Sequence, residues 1–122
     1  MTQIAPDSPD SRVACPENPG FELRQPMPQP GPSVAVIVPT LNERGNVHEL
    51  VARLERALTG DEWEVIFVDD DSTDGTAAVV RELSRTDRRV RCVQRLGRRG
   101  LSGACLEGML ASSAPYIAVI DG

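Results

Sequence analysis

The sequence predicts an α/β domain built on a parallel sheet, and three observations carry that prediction. Short apolar runs rich in Val and Ile stand at Val34 to Val38, Trp63 to Val68, Val90 to Val93 and Tyr116 to Ile120. The segments between them place apolar residues at helical spacing, so the chain reads β-α-β-α-β-α-β. A helix and two loops between successive strands argue for right-handed crossovers, and runs with little polar alternation suit strands covered on both faces.

Residues 1–33 hold eight of the ten prolines, including those of Gln25-Pro26-Met27-Pro28-Gln29-Pro30-Gly31-Pro32. They read as a disordered, polyproline-like tail. Order is expected from Ser33. The first strand is expected to stop at Pro39, which cannot donate to a ladder. Asn46 with Glu49 three residues later has the form of a capping box. Val47, Leu50, Val51, Leu54 and Leu58 then share one helical face, with Gly60 at the C-terminal end. The second strand runs into Asp69-Asp70-Asp71, and the Ser/Thr/Asp/Gly turn after it supplies capping residues for a helix that turns Ala77, Val80 and Leu83 inward. After the weaker third strand comes a cationic loop, Leu96-Gly97-Arg98-Arg99-Gly100. A third helix from Leu101 to Ser113 is rich in small residues, among them Ser102, Gly103, Ala104, Gly108 and Ala111, which lets it lie close to a sheet or ligand. The fourth strand ends at Asp121-Gly122.

Composition bounds the function. The chain of 122 residues suffices for one small domain. A net charge of −5 and four aromatic residues offer no basic surface with interleaved rings, which argues against nucleic acid as a partner. Cys15, Cys92 and Cys105 have no metal-ligand spacing, so Cys92 and Cys105 are expected as small core residues in a reducing, cytoplasmic setting. The first residues lack the basic and apolar regions of a signal peptide, and no apolar run approaches membrane-spanning length.

Chemistry concentrates at the strand ends. Glu43 follows the first strand, Asp69 and Asp70 end the second, and Asp121 ends the fourth; a parallel sheet gathers these on one edge, the edge where open α/β sheets bind ligands. Carboxylates there, with Arg98 and Arg99 nearby, suit a phosphorylated ligand and its divalent cation. The plainer reading is loop polarity and helix capping. It accounts for Asp71, Ser72 and Asp74, but less readily for Asp69 and Asp70, which sit directly on a buried strand. Asp69-x-Asp71-x-Thr73 also fits the D-x-D-x-T of haloacid-dehalogenase phosphatases, although that motif should close the first strand of its domain. Asp70-x-Ser72-x-Asp74-Gly75 begins like a calcium loop, but Arg81 stands where the twelfth-position Glu should be. Gly97-x-x-Gly100-x-x-Gly103 follows the third strand and lacks the G-x-G start of a dinucleotide loop.

A fourth match spans Val34 to Gly122. Val36-Ile37-Val38-Pro39-Thr40-Leu41-Asn42-Glu43, Val68-Asp69-Asp70-Asp71-Ser72-x-Asp74-Gly75-Thr76, Gly97-Arg98-Arg99-Gly100-Leu101-Ser102-Gly103-Ala104 and Tyr116-Ile117-Ala118-Val119-Ile120-Asp121 occur in register. Together they resemble the family 2 glycosyltransferases, in particular the polyprenol-phosphate (dolichol-phosphate) mannosyltransferases. The resemblance implies the N-terminal half of a nucleotide-diphospho-sugar transferase (Rossmann-like) fold with sheet order 3-2-1-4. It implies inverting transfer of a sugar, mannose first, from a GDP- or UDP-sugar to a polyprenyl phosphate at the membrane surface, with Mg or Mn as cofactor. By position, Pro39, Leu41, Glu43, Val68 and Asp70 would line the nucleotide pocket, Arg99 would approach nucleotide or sugar, and Asp121 would be the first carboxylate of an Asp-x-Asp metal motif. Two departures stand out: Leu41 occupies a position often aromatic in the family, and the chain stops at Gly122 before the second Asp of the metal motif. The expectation is therefore an inactive fragment of such an enzyme, peripheral to the membrane at full length. The alternative is a non-catalytic nucleotide- or metal-binding α/β module.

Overall fold

The structure is a computed structural model that describes residues 31–97 and 100–121. The tail assigned to residues 1–33 thus lies almost wholly outside the described residues, as do Arg98, Arg99 and Gly122. Strands β1 (Val34–Thr40), β2 (Trp63–Asp69), β3 (Val90–Gln94) and β4 (Tyr116–Val119) alternate with helices α1 (Val47–Ala57), α2 (Thr76–Ser84) and α3 (Leu101–Leu110). All strand pairs are parallel and the sheet order is β3-β2-β1-β4, as the resemblance implies.

The hand of the crossovers divides the helices between the two faces. The chain steps from β1 to β2 to β3 in one direction, so α1 and α2 share a face; it then returns past β1 to β4, and the same hand puts α3 on the other. Packing follows. On one face Val36, Val38, Trp63, Val65, Phe67 and Val90 meet Val47, Val51 and Leu54 of α1 and Val80 of α2. On the other, Ala35, Ile37, Ile66 and Val68 meet Ala104 of α3. Strand β2 is covered on both faces and buried along its whole length, which is why its sequence is an almost unbroken apolar run. Burying a side chain such as Phe67 contributes about 1.5–3 kcal/mol. At the edge, every residue of β4 is exposed.

Two local expectations are corrected. Pro39 does not stop β1: Pro39 pairs with Val68 and Thr40 with Asp69. The Thr40 carbonyl accepts from Asp70 N–H toward β2, whereas the Ile37 carbonyl accepts from Ile120 N–H toward β4. By this alternation the donor that Pro39 lacks would point toward β4, past Val119, the last β4 residue paired with β1, so no rung between β1 and β2 is lost. The capping box at Asn46 is also absent. A 3-10 turn over Arg44–Asn46 precedes α1, leaving Asn46 in a helical conformation with no side-chain cap bond; its amide turns back and donates to Glu43 Oε2 at 2.7 Å instead. Cys92 and Cys105 are free thiols and only partly buried, and burial pushes the Cys92 thiol pKa up.

Candidate functional site

Connections leave β1 toward β2 on one side and β4 lies on its other side, so the strand order reverses between β1 and β4. In doubly wound sheets the ligand crevice opens at such a reversal, beyond the carboxyl ends of the strands. At that edge lie Thr40 and Leu41 after β1, Asp69 and Asp70 after β2, Arg95 after β3, and Ile120 and Asp121 after β4.

The loops after β1 and β2 are stitched to each other. Asp69, fully buried, accepts from Thr40 Oγ1 at 3.2 Å, from Ser72 Oγ at 2.5 Å and from Ser72 N–H at 2.9 Å. Asn42 N–H donates to Ser72 Oγ at 2.8 Å, and Asn42 Oδ1 accepts from Thr73 N–H at 3.0 Å. Glu43 N–H donates to Thr76 Oγ1 at 3.0 Å, and Arg44 N–H to Asp74 Oδ2 at 3.2 Å. The turn needs left-handed backbone at Asn42 (φ 56°) and Asp71 (φ 62°), which Asn and Asp tolerate better than other side chains. The position capping α2 belongs to Gly75, with no side-chain cap bond. Asp74 acts one residue earlier, accepting from Thr76 N–H at 3.0 Å and from the Thr76 hydroxyl. That hydroxyl bond, opposed by desolvation and aided by the backbone donors of Arg44 and Thr76, holds the Asp74 carboxyl below its ordinary pKa. Asp69, Ser72, Asp74 and Thr76 thus build the edge rather than present a ligand surface.

Asp70 is different. It lies 7% exposed beside Arg95, itself 5% exposed at the end of β3. Asp70 Oδ2 accepts from Gly100 N–H at 2.9 Å, and Arg95 NH1 donates to the Gly100 carbonyl at 3.1 Å. Arg95 NH1 also lies 3.3 Å from Asp70 Oδ1, and Nε lies 3.8 Å from Glu107 Oε1. Among the described residues, neither Asp70 Oδ1 nor Arg95 Nε finds a hydrogen-bond partner. Arg95 was not singled out from sequence. Its signal is a cation directly after the third strand, facing a helix that carries a glycine, Gly103, where a Cβ would meet the guanidinium at 2.8 Å.

The remaining expected site residues scatter around this edge. Pro39 is half-buried as the last residue but one of β1, Leu41 is 45% exposed, and Glu43 is half-buried. Val68 is fully buried among the residues beneath α3. Arg99 lies outside the described residues. Asp121, exposed, lines a cavity of about 290 Å³ with Asn46, Glu49, Leu50 and Arg53 of the α1 side. Among the described residues lining it, the other acid is Glu49, whose Oε2 is held by Arg53 NH2 at 2.9 Å. Among the described residues no group of three or more His, Cys, Asp or Glu is arranged to hold a metal ion. The described residues therefore do not by themselves fit a metal centre, and Asp121 and Asp70 face different partners.

Residues 35–122 match the Glycosyl transferase family 2 pattern, which takes in every element of the sheet. The chain belongs to glycosyl transferase family 2. Among curated members, a dolichol-phosphate mannosyltransferase of Pyrococcus furiosus is 41% identical over 88 residues, covering 72% of this chain and 25% of that protein. A dolichol-phosphate mannosyltransferase of Saccharomyces cerevisiae is 36% identical over 90 residues, covering 71% of this chain and 34% of that protein. Among solved family structures, a mannosyltransferase of Pyrobaculum calidifontis in complex with GDP-Man and Mn2+ superposes with a TM-score of 0.63 at 31% identity, covering 84% of this chain and 32% of that one. The family fold, a nucleotide-sugar glycosyltransferase sheet of order 3-2-1-4, is thus the fold of this chain, which spans a quarter to a third of the length of the relatives it matches. Among the described residues, no helix is long and apolar enough to cross a membrane.

Proposed function

We propose that this chain is the donor-nucleotide segment of a glycosyltransferase that moves mannose from a nucleotide-diphospho-sugar to a polyprenyl phosphate. The observation that supports it is the position of Asp70: a nearly buried carboxylate at the carboxyl edge of the central strand, tied to the glycine that opens α3, in a chain similar to dolichol-phosphate mannosyltransferases. In this reading Pro39, Leu41 and Glu43 border the nucleotide, Val68 supports it from beneath, Asp70 holds base or ribose, Arg99 reaches nucleotide or sugar, and Asp121 supplies one oxygen toward a divalent cation. A phosphate oxygen of the acceptor, already an anion, forms the new bond to the anomeric carbon. The bond from that carbon to the diphosphate breaks with inversion, and the nucleoside diphosphate leaves. Such a nucleophile needs little help from a general base, so the residues described here bind and orient the donor. The full-length protein would work at a membrane surface, where its lipid acceptor is.

A second reading, a non-catalytic nucleotide-binding module, is favoured by the lack of a metal-holding cluster among the described residues. Calorimetric titration of the chain with GDP-mannose and with a UDP-sugar, followed by a manganese-supplemented transfer assay on polyprenyl phosphate, tests both. Saturable binding of one nucleotide that weakens about tenfold or more in Asp70→Asn is the expected outcome, with no transfer by the chain alone. No binding of either nucleotide overturns the proposal. Transfer that is lost in Asp121→Ala shows instead that the chain is itself a complete catalyst.

A further inference from the structure

We propose that Arg95 is a positioning residue of the nucleotide site: from the end of β3 it fixes the Asp70 carboxylate and the first turn of α3 in register with each other. This rests on the reading of Asp70 as a nucleotide ligand. The geometry is a closed triangle. Gly100 N–H donates to Asp70 Oδ2 at 2.9 Å, Arg95 NH1 donates to the Gly100 carbonyl at 3.1 Å, and the same nitrogen lies 3.3 Å from Asp70 Oδ1. One residue, Gly100, is thereby held at its N–H by the carboxylate and at its carbonyl by the guanidinium. The backbone of Arg95 is anchored too, its N–H donating to the Asp69 carbonyl at 2.8 Å. Arg95 therefore reads the β2 terminus twice, once through the main chain at Asp69 and once through its side chain at Asp70.

The pattern of satisfied and unsatisfied atoms argues against a merely structural ion pair. A buried pair retained for stability meets its hydrogen-bonding needs within itself. Here the carboxylate spends only Oδ2 on the backbone. Among the described residues, Oδ1 receives the charge of Arg95 without a hydrogen bond, and Arg95 Nε has none either. The arrangement orients Asp70 while leaving one of its oxygens, covered in this structure, without a hydrogen-bond donor, and a base or ribose entering beside it would supply one. Arginine suits the position because two of its nitrogens act apart: NH1 reaches Asp70 Oδ1 and the Gly100 carbonyl while Nε lies 3.8 Å from Glu107 Oε1, and a lysine ammonium could serve the first pair but not the second as well. Gly103 completes the device. A Cβ there would stand 2.8 Å from Arg95 NH2 and 3.1 Å from NH1, so the bare glycine leaves the guanidinium its place against α3.

The test uses the full chain labelled with nitrogen-15 and GDP as the probe, in three forms: wild type, Arg95→Lys and Gly103→Ala. The glycine variant moves the guanidinium without removing it and improves helix propensity, so it remains informative if the lysine variant folds poorly. In both variants the Gly100 amide resonance is expected to shift and its exchange protection to fall, with GDP affinity reduced about tenfold or more, the loss of a charge-assisted hydrogen bond. A third variant, Asp74→Ala, is expected to leave GDP affinity unchanged. An unmoved Gly100 amide in both variants, or a moved amide with unchanged GDP affinity, overturns the proposal while the nucleotide reading stands. A wild-type chain that binds no GDP or UDP overturns the nucleotide reading, and this proposal with it.

Discussion

Replacing Asp69 with alanine removes the acceptor for three donors at once, the Thr40 and Ser72 hydroxyls and the Ser72 N–H. Asp69 and Thr40 are buried while Ser72 is partly open to solvent, and a loss of about 2 kcal/mol is expected in urea unfolding; a loss below about 1 kcal/mol would mean that the turn does not depend on this carboxylate. Acid acts on the same edge more gently. The Asp74 carboxyl is held below the ordinary 3.8 by the Thr76 hydroxyl, and that of Asp87 by its hydrogen bond from Arg89. A folded pKa below the unfolded one means the stabilisation is fully present above 3.8 and disappears as pH falls through the folded values. Urea midpoints measured from about pH 5 to about pH 2 should therefore fall, and Asp74→Asn should flatten part of that fall. At this scale the sequence was only partly readable. Three adjacent carboxylates mark a special strand end, but which one braces the turn and which faces the site depends on the partners Thr40 and Arg95, each far away in sequence and brought close only by the sheet.

Helix α3 lies on the sheet through its smallest residues, Ala104 and Gly108, while Leu101, Leu106 and Leu110 face outward. A Cβ at Gly108 would overlap Ile37 Cγ2 and come within 3.0 Å of Val68 Cγ2. Both partners are fully buried and have no room to yield. Gly108→Ala is therefore expected to destabilise by about 1–3 kcal/mol through overpacking, although alanine is the better helix former by about 1 kcal/mol. Thermal unfolding decides the sign, and a stabilised variant would show that α3 stands off the sheet. The small residues of this helix were visible in the sequence as a sign of close approach, whereas what they approach was not. Elements as such were legible because periodicity is local: each strand and helix falls within a few residues of its expected place. Boundaries were less so. Asn46 looked like a cap because a 3-10 turn leaves no trace in apolar spacing, and Pro39 looked like a stop because the side on which its missing donor points depends on the neighbours of β1.

Among the described residues, the β4 border of the sheet is weakly protected. All of β4 is exposed, with Tyr116 at 70%, and the outward leucines of α3 lie on the helix that leads into it. Exposed strand edges with apolar neighbours pair with other chains. The purified chain is expected to sediment faster as its concentration rises, and Ile117→Lys or Val119→Lys should suppress that; a strictly monomeric wild type at every concentration would refute it. The opposite end of the same strand behaves differently because of Pro39. By the register of the ladder, the next rung after Val119 would run from the N–H of residue 39 to the carbonyl of Ile120, and an imino acid cannot make it. Strands β1 and β4 are thus free to splay where the order of the sheet reverses. Proline acts here as a zipper stop, keeping the two strands from closing the mouth between them, and a valine in its place would let the sheet grow by one rung into the space a ligand would occupy.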